Sequence, residues 1–204
     1  MLKSTIAALI MTFGLGGAAS AANISKSYSY FSIGGSTLDE IEDELARHGP
    51  LLKSSGSRHP GATRMQFTTR IGYQDEGRSC RIAQADVTLK AKVILPKWRR
   101  SKGADAEVRM IWDTLASDIK RHEESHISIA KNFARDLEKA LLAIRRQPSC
   151  ARAAEQAKTV TASILARHDQ AQDRFDRIEA ANFENRLLRL LRYRLERSVS
   201  RRAD

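Results

Sequence analysis

The sequence predicts an α+β fold: a small antiparallel sheet packed on one long helix, followed by a long C-terminal helical region. Three observations carry that expectation. Apolar and polar residues alternate with period 2 before residue 96, the period becomes 3.6 near Ala104 and holds almost to the end, and Gly and Pro punctuate the segments between. Composition agrees with a packed domain, since 42% of the 204 residues are apolar and 29% are charged. With only 11 Gly and 4 Pro and no repeat of fixed length, collagen-like, low-complexity and solenoid architectures are excluded.

The elements follow in chain order. Residues 1–21 hold Lys3, an apolar run from Ile6 to Leu15 and small residues ending Ala19-Ser20-Ala21, the three parts of a secretory signal peptide cleaved after Ala21. The run is too short and too broken by glycine to span a bilayer, and no later stretch spans one. The chain is therefore expected to be exported, to the periplasm or the medium, with an α+β domain over 22–150 and a helical region over 151–204. Ser27 to Ile33 alternates as a strand and Gly34-Gly35 ends it. Thr37 and Glu40 form a capping box for a helix over Leu38 to Arg47, which His48-Gly49-Pro50 stops.

A Ser- and Gly-rich loop over Lys53 to Gly61 leads to strands at Ala62 to Tyr73 and Ile82 to Leu95, parted by a turn at Gln74 to Gly77. In the second strand Val87, Leu89, Ala91, Val93 and Leu95 mark a buried face, and Pro96 is expected to end it. From about Ala104 an apolar stripe runs Val108, Ile111, Leu115, Ile119, His122, His126, Ile129, Phe133, Leu137, Leu141 and Ile144 on one helical face. After Pro148 a second helical region covers Ala151 to Ser198, with a break near Ala180 to Asn182. In an oxidising compartment the two cysteines, Cys80 and Cys150, are expected to form one disulfide. Neither has a Cys or His neighbour at zinc-finger spacing.

Two histidines interrupt the apolar stripe. His122-Glu123-Glu124-Ser125-His126 matches H-E-x-x-H on a helix that periodicity predicts independently. Residues i and i+4 share a face, so both imidazoles reach one ion, and the Glu beside the first histidine is turned toward a water there as general base. A catalytic zinc usually takes a third protein ligand. The extended pattern that would supply it nearby is absent, because Ala130 and Asn132 follow Ile129 without a glycine or a third histidine. The second long helix offers His168, Asp169, Asp173, Asp176 and Glu179. Glu179, beside the small residues Ala180 and Ala181, is the preferred third ligand, with His168 as the alternative.

Gly34 to Ile41, His48-Gly49-Pro50, Cys80 opening a strand, Leu95-Pro96-Lys97-Trp98, His122-Glu-x-x-His126, Cys150 and the fainter Phe175-Asp176 together resemble the bacterial family of predicted secreted zinc-dependent proteases, long catalogued as a domain of unknown function. The resemblance covers about 30–150. It implies a zincin-like fold, a zinc cofactor and hydrolysis of peptide bonds. The chain departs from it after the aromatic-Asp pair, where many members carry His-Gly and this one reads Ala181-Asn182.

The expected activity is thus that of a zinc metalloprotease acting on a peptide or protein. Glu123 is its base, Tyr28, Tyr30, His59 and Tyr193 are candidates for oxyanion donor, and the Val87 to Leu95 strand, read first as an ordinary half-buried strand, is a candidate sheet edge for the substrate. The formal charge of +11 supports a second class, a non-catalytic envelope protein binding polyanions or an acidic partner. Lys92, Lys97, Arg99, Arg100 and Lys102 and the seven arginines from Arg186 to Arg202 are its basis, with the latter facing an anionic envelope surface. Export argues against nucleic acid as the partner.

Overall fold

The computed structural model describes residues 23–52 and 56–203, and residues 1–21, read above as a signal peptide, lie outside them. Three strands and four helices follow in the order β1 (Asn23–Ile33), α1 (Leu38–His48), β2 (Ala62–Asp75), β3 (Cys80–Trp98), α2 (Ala106–Leu142), α3 (Cys150–Ala181) and α4 (Phe183–Ala203). Among the described residues no helix is long and apolar enough to cross a membrane.

The α+β class holds, but the sheet is mixed rather than antiparallel. Its order is β1-β3-β2, with β2 antiparallel to β3 and β1 parallel to it. The turn at 76–79 makes β2 and β3 a hairpin, and β3 then inserts beside β1, with Tyr30 opposite Leu95 and Ala62 opposite Ile94. Because α1 spans the end of the sheet, β2 runs back against β1, and the strand after it must run parallel to β1. That makes β3 the central strand, paired on both sides, so Val87 to Leu95 is not a free edge. Nor does Pro96 end it. Beyond Ile94 the strand has only β1 beside it, so a residue without an N–H is tolerated there, and Trp98 closes the strand opposite Ile33.

Thr37 caps α1 with the reciprocal Glu40 contact, Asp105 caps α2 through the Val108 N–H at 2.8 Å, and Ser149 caps α3. The 37 residues of α2 give a helix of about 55 Å, and it uses two adjacent faces. Ile119, Glu123, Ile127, Ala130, Ala134, Leu137 and Leu141 are buried toward the sheet, where Val87, Leu89 and Val93 meet them. The next face carries His122 and His126 toward α3. One core joins β3, α2 and α3 through Ile82, Leu89, Leu137, Ala157 and Ile164. A second packs Ile41 of α1 with Ile33, Trp98 and Trp112. Cys80 and Cys150 are disulfide-bonded, and Cys80 exchanges both backbone hydrogen bonds with Gln147 at 2.8 Å, pinning the α2–α3 turn to the start of β3.

Candidate metal centre

His122 and His126 stand one turn apart on the α3-facing side of α2, and Asp176 of α3 meets them. His122 Nε2 lies 3.1 Å from His126 Nε2, and Asp176 Oδ1 lies 3.2 Å from the first and 3.1 Å from the second. Phe175 stacks on the His122 ring at 5.0 Å and meets the His126 ring edge-on at 5.1 Å, fixing both planes.

The ring protons can be placed from the partners. Gln172 Nε2 donates to the His126 carbonyl at 3.1 Å, and a carbonyl only accepts, so the amide orientation is set. Gln172 Oε1 is then the atom 2.7 Å from His126 Nδ1, which must carry the proton and donate it. The second hydrogen of Gln172 Nε2 goes to His168 Nε2 at 2.8 Å, and His168 Nδ1 donates to Asp169 at 3.0 Å. On the other ring, His122 Nδ1 faces Glu179 Oε2 at 3.6 Å, which favours its proton on that side. With both rings neutral, their Nε2 lone pairs and a carboxylate oxygen converge on one point, and the repulsion among them is relieved by a proton on an imidazole or by a bound metal ion.

The donor set fits a divalent ion. A tetrahedral zinc with bonds of about 2.0–2.1 Å requires ligand atoms about 3.3–3.4 Å apart, against 3.1–3.2 Å in the trio. Two imidazoles and a carboxylate, each ring held through its other nitrogen, match the ligand chemistry and its supporting shell.

Glu179 and His168 lie outside this trio. Glu179 is ion-paired with Arg121 and, at 3.3 Å, with Arg186, so two guanidiniums occupy the carboxylate. His168 is buried between Phe67 and Phe133, with both ring nitrogens engaged. Sequence reasoning weighed Asp176 and preferred Glu179, named Phe175 only as part of the resemblance, and missed Gln172. The available signal was the stripe His168, Gln172, Asp176, Glu179, which steps by four, four and three along one face of α3.

Glu123 lies on the sheet side of the pair and is buried. The Thr63 hydroxyl of β2 donates to Glu123 Oε2 at 2.8 Å and lies 3.0 Å from the Glu123 carbonyl. Burial raises the Glu123 carboxyl above its ordinary pKa against the pull of Thr63 and the histidines. At Asp176 burial acts the same way, but His122 and His126 outweigh it and hold the carboxyl well below the usual range. Burial would lower His126, but Asp176 and Gln172 prevail and raise it.

A cleft of roughly 640 Å³ opens onto the trio and Glu123, walled by α2, α3, the first residues of α4, the start of β2 and the loop before it. That loop folds back on itself through His59 N–H to Pro50 O at 3.1 Å. Two glycines permit the approach. A Cβ on Gly49 would sit 2.1 Å from the His59 carbonyl oxygen, and one on Gly61 would sit 2.8 Å from Glu123 Oε1. His59 lines the cleft; Tyr28 instead bonds Glu124, and Tyr30 and Tyr193 are exposed away from it.

No curated protein and no solved structure matches the chain. Residues 28–183 match a family model described as a bacterial protein of unknown function (DUF922), and over that span the chain belongs to this family.

Proposed function

We propose that the chain is an exported zinc-dependent metallopeptidase in which His122, His126 and Asp176 hold the ion and Glu123 is the general base. The observation that carries this reading is the convergence of two imidazole nitrogens and a carboxylate oxygen within 3.2 Å of one another beside a buried carboxyl. An ion bound there supplies Lewis acidity toward a carbonyl and a water.

The chain's own residues supply the rest. Thr63 occupies Glu123 Oε2, so Oε1 is the oxygen left to accept a proton. As a water oxygen attacks the peptide carbonyl carbon, its proton passes to Oε1; the same proton then moves to the amine nitrogen as the C–N bond breaks. Gln172, Phe175 and Glu179 orient the imidazoles, and the cleft between the loop at 56–61 and α3 gives an extended peptide room beside the start of β2. Since β3 is paired on both sides, the β2 edge replaces it as the place for strand-like substrate pairing.

Metal analysis of the purified chain tests the reading. About one zinc per chain is expected, falling to near zero in a His122→Ala, His126→Ala double variant. Glu123→Gln should keep the zinc and lose casein cleavage by about 10²–10⁴-fold. Equal cleavage by wild type and Glu123→Gln, or absence of zinc from the wild type, overturns it. A non-catalytic polyanion binder has no use for a buried carboxyl at position 123, which is why this residue separates the two classes.

A further inference from the structure

The C-terminal helix α4 is held to the body from one side only. Arg186 reaches Asp118 at 3.0 Å and Arg194 reaches Ser117 and the Asp113 carbonyl at 3.2 and 3.3 Å, and no residue of α4 is buried among those described. Its outer face is left without cover by the described residues. Leu188, Arg192, Leu195 and Val199 follow at i, i+4, i+7 and i+11, a single stripe along the helix. The three aliphatic side chains of that stripe are 54%, 49% and 67% exposed. Arg189 and Arg197 flank the stripe, and the described contacts of Arg197 are with Tyr193, its hydroxyl at 3.4 Å and its ring at 5.6 Å. The helix carries seven arginines against Glu184 and Glu196.

We infer that α4 docks the protein on an anionic lipid surface, with the stripe lying in the interface and Arg189, Arg192 and Arg197 at phosphate level. Charge complementarity and the makeup of the stripe select this occupant. A second copy would set two strongly cationic helices against each other, which opposes self-association. A dry protein groove would strip water from Arg192 in the middle of the row. At a lipid interface its aliphatic stem lies among the acyl chains while its head stays on phosphate. Single-stranded nucleic acid would need stacking platforms, and the outer face offers Tyr193 alone; a duplex presents phosphates to the arginines but no acyl layer for Leu188, Leu195 and Val199 to enter. The helix, about 31 Å long for its 21 residues, gives the contact length, and the inference is independent of what the metal centre does.

Co-sedimentation of the full chain with vesicles tests it, comparing phosphatidylcholine alone with an equal mixture of phosphatidylcholine and phosphatidylglycerol. Binding is expected only to the anionic vesicles and should weaken with salt. Replacing Arg189, Arg192 and Arg197 by Gln should lower the partition coefficient by roughly 100-fold, at about fivefold per arginine. Replacing Leu188, Leu195 and Val199 by Ser should lower it about tenfold without changing charge. The control is Arg64→Gln, Lys90→Gln, Lys92→Gln on the outer face of the sheet, which removes equal charge and should cost far less. Circular dichroism and thermal melting of each variant confirm that the fold is kept. Failure of the wild type to bind anionic vesicles overturns the inference. So does equal weakening by the two charge-matched triples, or full binding by the serine variant. Tighter binding to a DNA duplex than to the vesicles would likewise reject lipid as the occupant.

Discussion

Gln172 is not one of the three converging donors, yet the hydrogen-bond chain makes it decisive for the centre. Its Oε1 accepts from His126 Nδ1 at 2.7 Å, and this contact keeps the ring proton off Nε2. Replacing it with Leu removes that acceptor inside a packed helix interface and leaves a buried N–H without a partner. Once an ion draws charge from the ring, the bond is of the charge-assisted kind, worth about 1.5–3 kcal/mol, or roughly ten- to hundredfold in metal affinity. Gln172→Glu keeps an acceptor facing Nδ1 but sets its second carboxylate oxygen about 3.1 Å from the His126 carbonyl, acceptor against acceptor, so it should recover only part of the affinity. Competition titration against a chromophoric zinc chelator reads both variants, with thermal melting of the metal-free forms as the check on folding. If Gln172→Leu binds zinc within twofold of wild type, or if Glu is no better than Leu, the proton assignment is wrong.

Three further outcomes follow from other contacts. Gly61→Ala places a methyl 2.8 Å from Glu123 Oε1 and 2.9 Å from Ile119 Cγ2, so Glu123 must shift; zinc content should be unchanged while casein hydrolysis falls about 100-fold, and unaltered hydrolysis would show that the carboxyl has slack. Cys150→Ser opens a covalent loop of 70 residues, which costs about 4 kcal/mol in the loop-entropy account and should lower the melting temperature by about 8–16 °C, as calorimetry under nonreducing conditions would register. Asp118 is buried, and although burial alone would raise its pKa, Arg186 and Arg121 outweigh it and hold the carboxyl low. Its stabilisation is thus present above the unfolded value of about 3.9 and is lost as pH falls through the depressed folded value. Asp118→Asn should cost about 3 kcal/mol at pH 7 and progressively less below pH 4, as urea midpoints at pH 7, 4 and 3 would show; a constant difference would remove Asp118 from the acid response.

Local signals carried most of the secondary structure. Thr37 with Glu40, Pro148 ahead of Ser149, and Asn182, which bonds back to the Ile178 carbonyl at 2.7 Å, mark ends that a single turn of chain decides. The parallel pairing of β1 was beyond such signals, because strand order depends on where α1 returns the chain. The same limit governed the centre. Helical spacing placed Asp176 and Glu179 near one face, but what separates them is Arg121 from α2 and Arg186 from α4, 58 residues before Glu179 and 7 after it. A carboxylate already claimed by two guanidiniums cannot be told from a free one by its own neighbours in sequence. Thr63 and Gln172 were silent for another reason: a neutral hydroxyl or amide has no spacing rule that marks it as the partner of a histidine or a general base.

The trio and the base are supplied by different parts of the molecule. His122, His126 and Asp176 come from α2 and α3, a helical hairpin closed by a short turn, whereas Glu123 is held by Thr63 from a strand 60 residues earlier in the chain. Under the proposed function, a one-residue slip of β2 would take Thr63 away from Glu123 while leaving the two histidines and Asp176 together, so hydrolysis is separable from ion binding by changes in a strand that supplies no ligand.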